Sequence, residues 1–214
     1  MSTSDNRRWA LFGPLTVVLW IVGLALYQHS APGEHATGGD ILAWYKAHTD
    51  SILLGGWIFM LGCLGFVIFI SGLRQRLAAA VGTASQLPGL SFAGAAMAAV
   101  FGMLMAAADV AGGVDKKDIE PSTAAAFHHA TDIFFVCAEL AAIVPLAVVA
   151  VVAWRTCVLP RWWAAFSVLV AVVLIIGPAG WIGLIFGVPI WTLGTSLFLL
   201  LRSPERMRAA AAAA

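Results

Sequence analysis

The sequence predicts an all-α fold: a polytopic membrane bundle of six transmembrane helices with both termini cytoplasmic and a short amphipathic interfacial helix between spans 1 and 2. Three observations predict it. The chain has 214 residues, of which 61% are hydrophobic and 11% charged, less than half the charge with which a soluble domain covers its surface. Its apolar residues gather into runs long enough to cross a hydrocarbon core of about 30 Å. Its nine arginines (Arg7, Arg8, Arg74, Arg76, Arg155, Arg161, Arg202, Arg206, Arg208) fall only at the termini and in the second and fourth connections. A six-span path puts those segments on one side, and the positive-inside rule makes that side cytoplasmic. The three lysines, Lys46, Lys116 and Lys117, fall on the other.

Met1 to Arg8 is a polar start, and the apolar run Trp9 to Tyr27 follows it. Nineteen residues is long for the core of a signal peptide, and His29 stands where a cleavage site needs a small residue, so the run reads as the first span. In the next connection DILAWYKAHTD places Ile41, Trp44, Tyr45 and His48 at i, i+3, i+4 and i+7 behind Asp40 as a cap. That stripe predicts a helix lying on the membrane surface. The second span, Ser51 to Leu73, carries Gly55, Gly62, Gly65 and Gly72 along one flank. In the third, about Leu90 to Ala108, Gly94, Ala98, Gly102 and Ala106 recur every four residues. Both are small-residue seams that let a neighbouring helix approach closely. Asp109 follows Gly102 by seven and so projects from the same face, near the outer boundary.

Asp115 to Glu120 is a solvated turn, after which Pro121, Ser122 and Thr123 supply first-turn and capping residues for a fourth helix reaching Trp154. It exceeds the bilayer thickness and must tilt or project. A fifth span, about Trp162 to Ile176, leads to Gly177-Pro178-Ala179-Gly180. The sixth starts near Trp181 or only at Pro189 and ends at Leu201. Trp9, Trp154, Trp162 and Trp163 mark the inner interface; Tyr27, Trp44, Tyr45 and Trp181 mark the outer. Residues 1–208 read as a single membrane domain, and the alanine run 209–214 as a low-complexity tail.

The fourth helix holds the candidate site. From Phe134 to Ala153, Glu139 is the sole charge, roughly 8 Å inside the boundary at 1.5 Å per residue. An unpaired carboxylate there costs about 3 kcal/mol or more. His128, Asp132, Phe135 and Glu139 stand at i, i+4, i+7 and i+11, within about 40° of one another around the helix. This polar stripe descends from the outer interface into the core, as a proton relay or cation path requires, and Asp109 lies at the same level. The competing reading is structural, with the outer groups hydrated and Glu139 protonated or hydrogen-bonded as a packing device.

Every histidine falls on the outer side, and His128, His129, His48 and His29 are weak metal candidates, since the adjacent pair diverges by about 100° around a helix. Facing histidines also suit haem. There is no HExxH, paired CxxC, P-loop or GxSxG, so no enzyme class is supported and no cofactor is specified. No basic patch with interleaved aromatics points to nucleic acid. Cys63, Cys137 and Cys157 are odd in number and two lie in apolar runs, which implies no disulfide framework.

The Arg-Arg start, the ILAWYKAH segment, the glycine-rich span ending LRQRL, the LPRWW entry and the IWTLGTSLFLLLRSPE close together carry a resemblance. The chain resembles a family of multi-pass membrane proteins of high-GC bacteria that has no established activity. The resemblance implies the six-span fold and a bacterial cytoplasmic membrane, and it carries over no site residue. Three functions stand open. One is an accessory or structural protein that packs its seams against a membrane-protein partner or a second copy; another is a proton- or cation-linked transporter using Glu139 with Asp132, His128 and Asp109 as its entry; the last is a metal- or haem-binding redox protein.

Overall fold

The computed structural model describes residues 5–33, 35–82, 84–115 and 119–201; Lys116, Lys117, Arg202, Arg206, Arg208 and the alanine run lie outside the described residues. A 3-10 turn, Asp5–Leu11, leads into α1, Phe12–Tyr27. Then come α2, Gly38–Val81, α3, Leu87–Val114, α4, Pro121–Thr156, and α5, Arg161–Ile175. The final segment is α6, Gly177–Ile182, a π turn, Gly183–Gly187, and α7, Val188–Leu201. No strand occurs among the described residues. Five helices are long and apolar enough to cross a membrane, while α5 is apolar but has 15 residues. Leu15, Leu54, Leu104, Leu140 and Val172 are exposed around the bundle, a surface suited to acyl chains rather than water.

Neighbouring helices pack in chain order, α1 on α2, α2 on α3, α3 on α4 and α4 on α5, and α7 returns to α1. Glycine fixes the first pairing. A Cβ at Gly23 would stand 2.6 Å from the Phe59 amide nitrogen, and one at Gly55 would stand 2.5 Å from that of Tyr27, so the two backbones touch there. Gly62 then faces Trp20, Gly65 faces Thr16 and Gly72 lies under the Trp9 ring, which makes α1 and α2 antiparallel. The expected seams are therefore taken up inside the chain. Gly94 admits Val144 and Pro145 of α4, Gly102 admits Cys63 of α2, and Ala106 is fully buried.

The described arginines, at the start of α1, the end of α2 and the α4–α5 connection, gather at one end of the bundle; the described histidines lie toward the other. Near the arginine end, indole nitrogens tie α5 to α7: Trp163 donates to Thr195 Oγ1 and Trp191 to Ser167 Oγ, each at 2.9 Å. Hydrogen bonds of this kind join helices where water does not compete.

The structure sharpens several expectations. The amphipathic segment forms a short helix at the start of α2, set off from the second span by non-helical backbone at His48 (φ −118°, ψ 19°). There Thr49 Oγ1 donates to the Tyr45 carbonyl, Ser51 Oγ donates to that of His48, and His48 Nδ1 lies 3.2 Å from that of Trp44. Side chains that compete for the backbone ladder bend a helix in this way. Its apolar stripe, Ile41, Trp44 and Tyr45, is buried with Ile52 and Ala124 in a second core cluster. The N-cap is Thr37 rather than Asp40, which sits at N3 and closes a reciprocal capping box.

Of the two expected starts for the last span, the one near Trp181 holds: the apolar helical stretch begins at Ala179, within α6, and runs through the π turn past Pro189. Pro189 has no N–H to give and its ring would crowd the carbonyl one turn back; the Val188 amide instead reaches the Gly183 carbonyl, the wider bond of a π turn. The aromatics expected at the interfaces differ in burial. Tyr27, Trp44, Tyr45 and Trp163 are buried, whereas Trp154, Trp162 and Trp181 are exposed.

Candidate functional site

Asp109, on α3, is fully buried and is the hub of a cluster at the histidine end. Tyr45 Oη donates to its Oδ1 at 2.9 Å, Gln28 Nε2 donates to its Oδ2 at 3.3 Å, and His128 Nδ1 lies 3.4 Å from Oδ1. Four helices supply the group. Gln28 is the C-cap of α1, and the bend at His48 aims the first turns of α2 over the ends of α3 and α4. Gly112, one turn beyond Asp109, carries no side chain, and the Tyr45 ring occupies the space a Cβ would take. Trp44 covers the cluster: its Nε1 donates to the His29 carbonyl at 3.0 Å, and its ring lies 5.8 Å from that of His128 and 6.4 Å from that of His48. Among the described residues none of the carboxylate's partners is a lysine or an arginine, and the His128 imidazole is the one that can carry a positive charge.

Below this cluster lies a cavity of about 570 Å³, bounded by α1, α2, α3, α4, the π turn and α7. Its walls are apolar, with Trp20 and Leu24 from α1, Phe59 from α2, Met105 from α3, Phe135 from α4 and Leu193 from α7 among them. Gln28, at the histidine end, is the one amide side chain in the lining. Met105 is one turn before Asp109, so Gln28 stands between the cavity and the buried carboxylate. At the arginine end the cavity is closed. Gly13 lies against Ser196, and Ser196 Oγ donates to the Ala10 carbonyl. Farther along, Ile21, Phe186 and Ile190 line the cavity while 60%, 54% and 53% exposed. Thus α1 and α7 part, and the cavity opens sideways between them.

The predicted stripe on α4 divides into three environments. His128 turns inward to Asp109. Asp132 has 74% of its side chain exposed, facing His129 at 3.9 Å. Glu139 is 5% exposed and packs on α6, where a Cβ on Gly180 would lie 2.7 Å from its Oε2; it has no hydrogen-bond partner among the described residues. The neighbours of α4 change along its length, from α2 and α3 at His128 to α6 at Glu139, so residues aligned on one face do not share one surround. Among the four histidines considered for metal, His29 and His48 have ring centroids 5.9 Å apart and Trp44 lies between His48 and His128, while His129 points away to Asp132. No group of three metal-ligating side chains is assembled among the described residues.

Gln28 and Gly112 are site residues that the spacing arguments passed over, and Tyr45 was read only as an anchor. The one local signal was an amide and a phenol on the outer edges of apolar runs. No family model matches this chain, and no curated protein or solved structure matches it either.

Proposed function

We propose that this chain is a six-crossing membrane protein that holds a lipid-soluble molecule in the groove between α1 and α7, with the molecule's polar group beneath Gln28. The observation that carries the reading is the lateral opening itself. An apolar cavity of about 570 Å³ is within the size range of small-molecule sites, about 300–1,000 Å³, and its exposed rim residues give a path from the acyl chains that never passes through water. The seams argue less for a protein partner once Gly23, Gly55, Gly62 and Gly65 are occupied within the chain.

Six crossings follow if α5, about 22 Å long at 1.5 Å per residue, spans together with the turn at Gly177; the arginine end then faces the cytoplasm, and the resemblance points to a bacterial cytoplasmic membrane. With Cys63, Cys137 and Cys157 replaced by serine, a membrane-impermeant maleimide added to intact cells is expected to label Ala36→Cys and to spare Gly82→Cys. Labelling of Gly82→Cys would contradict the orientation.

Ala98 lines the groove, so Ala98→Phe should fill it without displacing the wall. Solvent extraction and mass spectrometry of purified protein should find a small lipophile with the wild type and none with Ala98→Phe, at equal or higher thermal stability. The same lipophile at the same amount in both would sink the reading. One observation favours a second reading, proton or cation transport: the buried, unpartnered carboxyl of Glu139. Glu139→Gln should then abolish a pH-driven flux in liposomes while leaving the fold intact, and retained flux would refute it.

A further inference from the structure

The charge around the groove specifies what kind of molecule it takes. Asp109 is fully buried at the groove's closed roof, and among the described residues its partners are a phenol, an amide and the His128 imidazole, the one group there that can balance its charge. No lysine or arginine lines the groove; the described arginines lie at the opposite end of the bundle. A carboxylate or phosphate head would meet like charge at Asp109, and the one described group there able to carry a positive charge, His128, already faces that carboxylate. Gln28 Nε2 is committed to Asp109 Oδ2, which leaves the amide's Oε1 as its acceptor, with the buried Tyr27 hydroxyl beside the same amide. That oxygen can accept a bond from a donor arriving through the groove, with the carboxylate immediately behind it.

Depth agrees with charge. Gln28 is the C-cap of α1, at the membrane boundary, where a cationic head need not be dragged through oil. The walls beyond it are apolar as far as the closed end at Gly13 and Ser196. An amphiphile would enter sideways in the orientation it already has in the bilayer, head at the boundary and body toward the core.

We propose that the groove's ligand is a cationic amphiphile, a single apolar chain or compact ring system with a protonated amine, its ammonium donating to Gln28 Oε1 and facing Asp109. This rests on the reading of the groove as a ligand site. In chemical terms, Gln28 and Asp109 are the specificity-determining residues.

The test uses the full chain in zwitterionic lipid nanodiscs at neutral pH with dodecylamine, dodecanol and dodecanoate. Only binding abolished by Ala98→Phe counts as groove binding. The wild type should bind dodecylamine about tenfold or more tightly than dodecanol, the smallest ratio expected for an opposite charge a few ångströms away, and dodecanoate least. Asp109→Asn should bring dodecylamine to the level of dodecanol. Because Asp109→Asn disturbs a buried cluster, Gln28→Lys serves as the second variant: it places a cation against Asp109, cancels the charge at the roof and should likewise bring dodecylamine to the level of dodecanol. Equal binding of dodecylamine and dodecanol by the wild type, or an amine preference that survives both substitutions, would overturn the cationic assignment and leave the groove. Absence of Ala98→Phe-sensitive binding for all three probes would instead overturn the groove reading itself.

Discussion

Gly180 and Glu139 show how closely one side chain depends on the absence of another. The carboxyl occupies the volume where a Cβ on Gly180 would stand, 2.7 Å from Oε2 and 2.9 Å from Cδ. Gly180→Ala should therefore push the Glu139 carboxyl aside and destabilise the protein by about 1 kcal/mol, the low end of overpacking costs, because the group displaced is the end of a flexible side chain. Adding Glu139→Ala should restore most of that loss, because the clash is with this one side chain. Thermal unfolding of the four proteins in detergent measures the coupling, and strictly additive losses would show that the two residues do not meet. At this scale the sequence was partly legible. Glu139 and Asp109 stand out as acids beside apolar runs, and each is buried in protein. Asp132, on the same stripe, is exposed instead, since periodicity states which face a residue occupies but not what covers that face. The partners of Asp109 were not legible at all: Gln28 and Tyr45 lie 81 and 64 residues away in the chain, and such pairings leave no local pattern.

Helices were legible where bilayer thickness dictates length, because a span needs about 20 apolar residues. They were less so where polar side chains reach into a ladder. The amphipathic helix and the second span read as separate in sequence, and the break between them lies at His48, where Thr49 and Ser51 bond to backbone carbonyls. The π turn was hidden for a related reason: Pro189 marks a disturbance without saying whether the helix stops or widens. The glycines were recognised as seams, but their partners were not assigned. Gly23 is tightly constrained, since its hypothetical Cβ meets backbone atoms of Phe59 and Gly55, which cannot rotate away. Gly23→Ala should separate α1 from α2 and sharply reduce the yield of folded protein. Gly89→Ala, with nothing within 4 Å, should be neutral or stabilise by up to about 1 kcal/mol through helix propensity. Size-exclusion profiles and melting temperatures of the two variants decide this, and equal behaviour would contradict the account.

At the scale of the whole molecule, the groove exists because helices joined at one end diverge toward the other. Ser196 and Gly13 hold α7 against α1 near the arginines, and the π turn and the roof at Gln28 fill out the space beyond. None of this can be read from composition, because the residues facing the groove are of the same types as those facing acyl chains: Ile21 and Ile190 serve as both wall and outer surface. The arrangement would let a lipid-soluble molecule reach a buried carboxylate without crossing water. The most direct test is a density map of the full chain in a lipid nanodisc. Elongated density entering between Ile21 and Ile190 and ending at Gln28 is the predicted result; α1 and α7 packed together along their whole length, with no space between them, would contradict it.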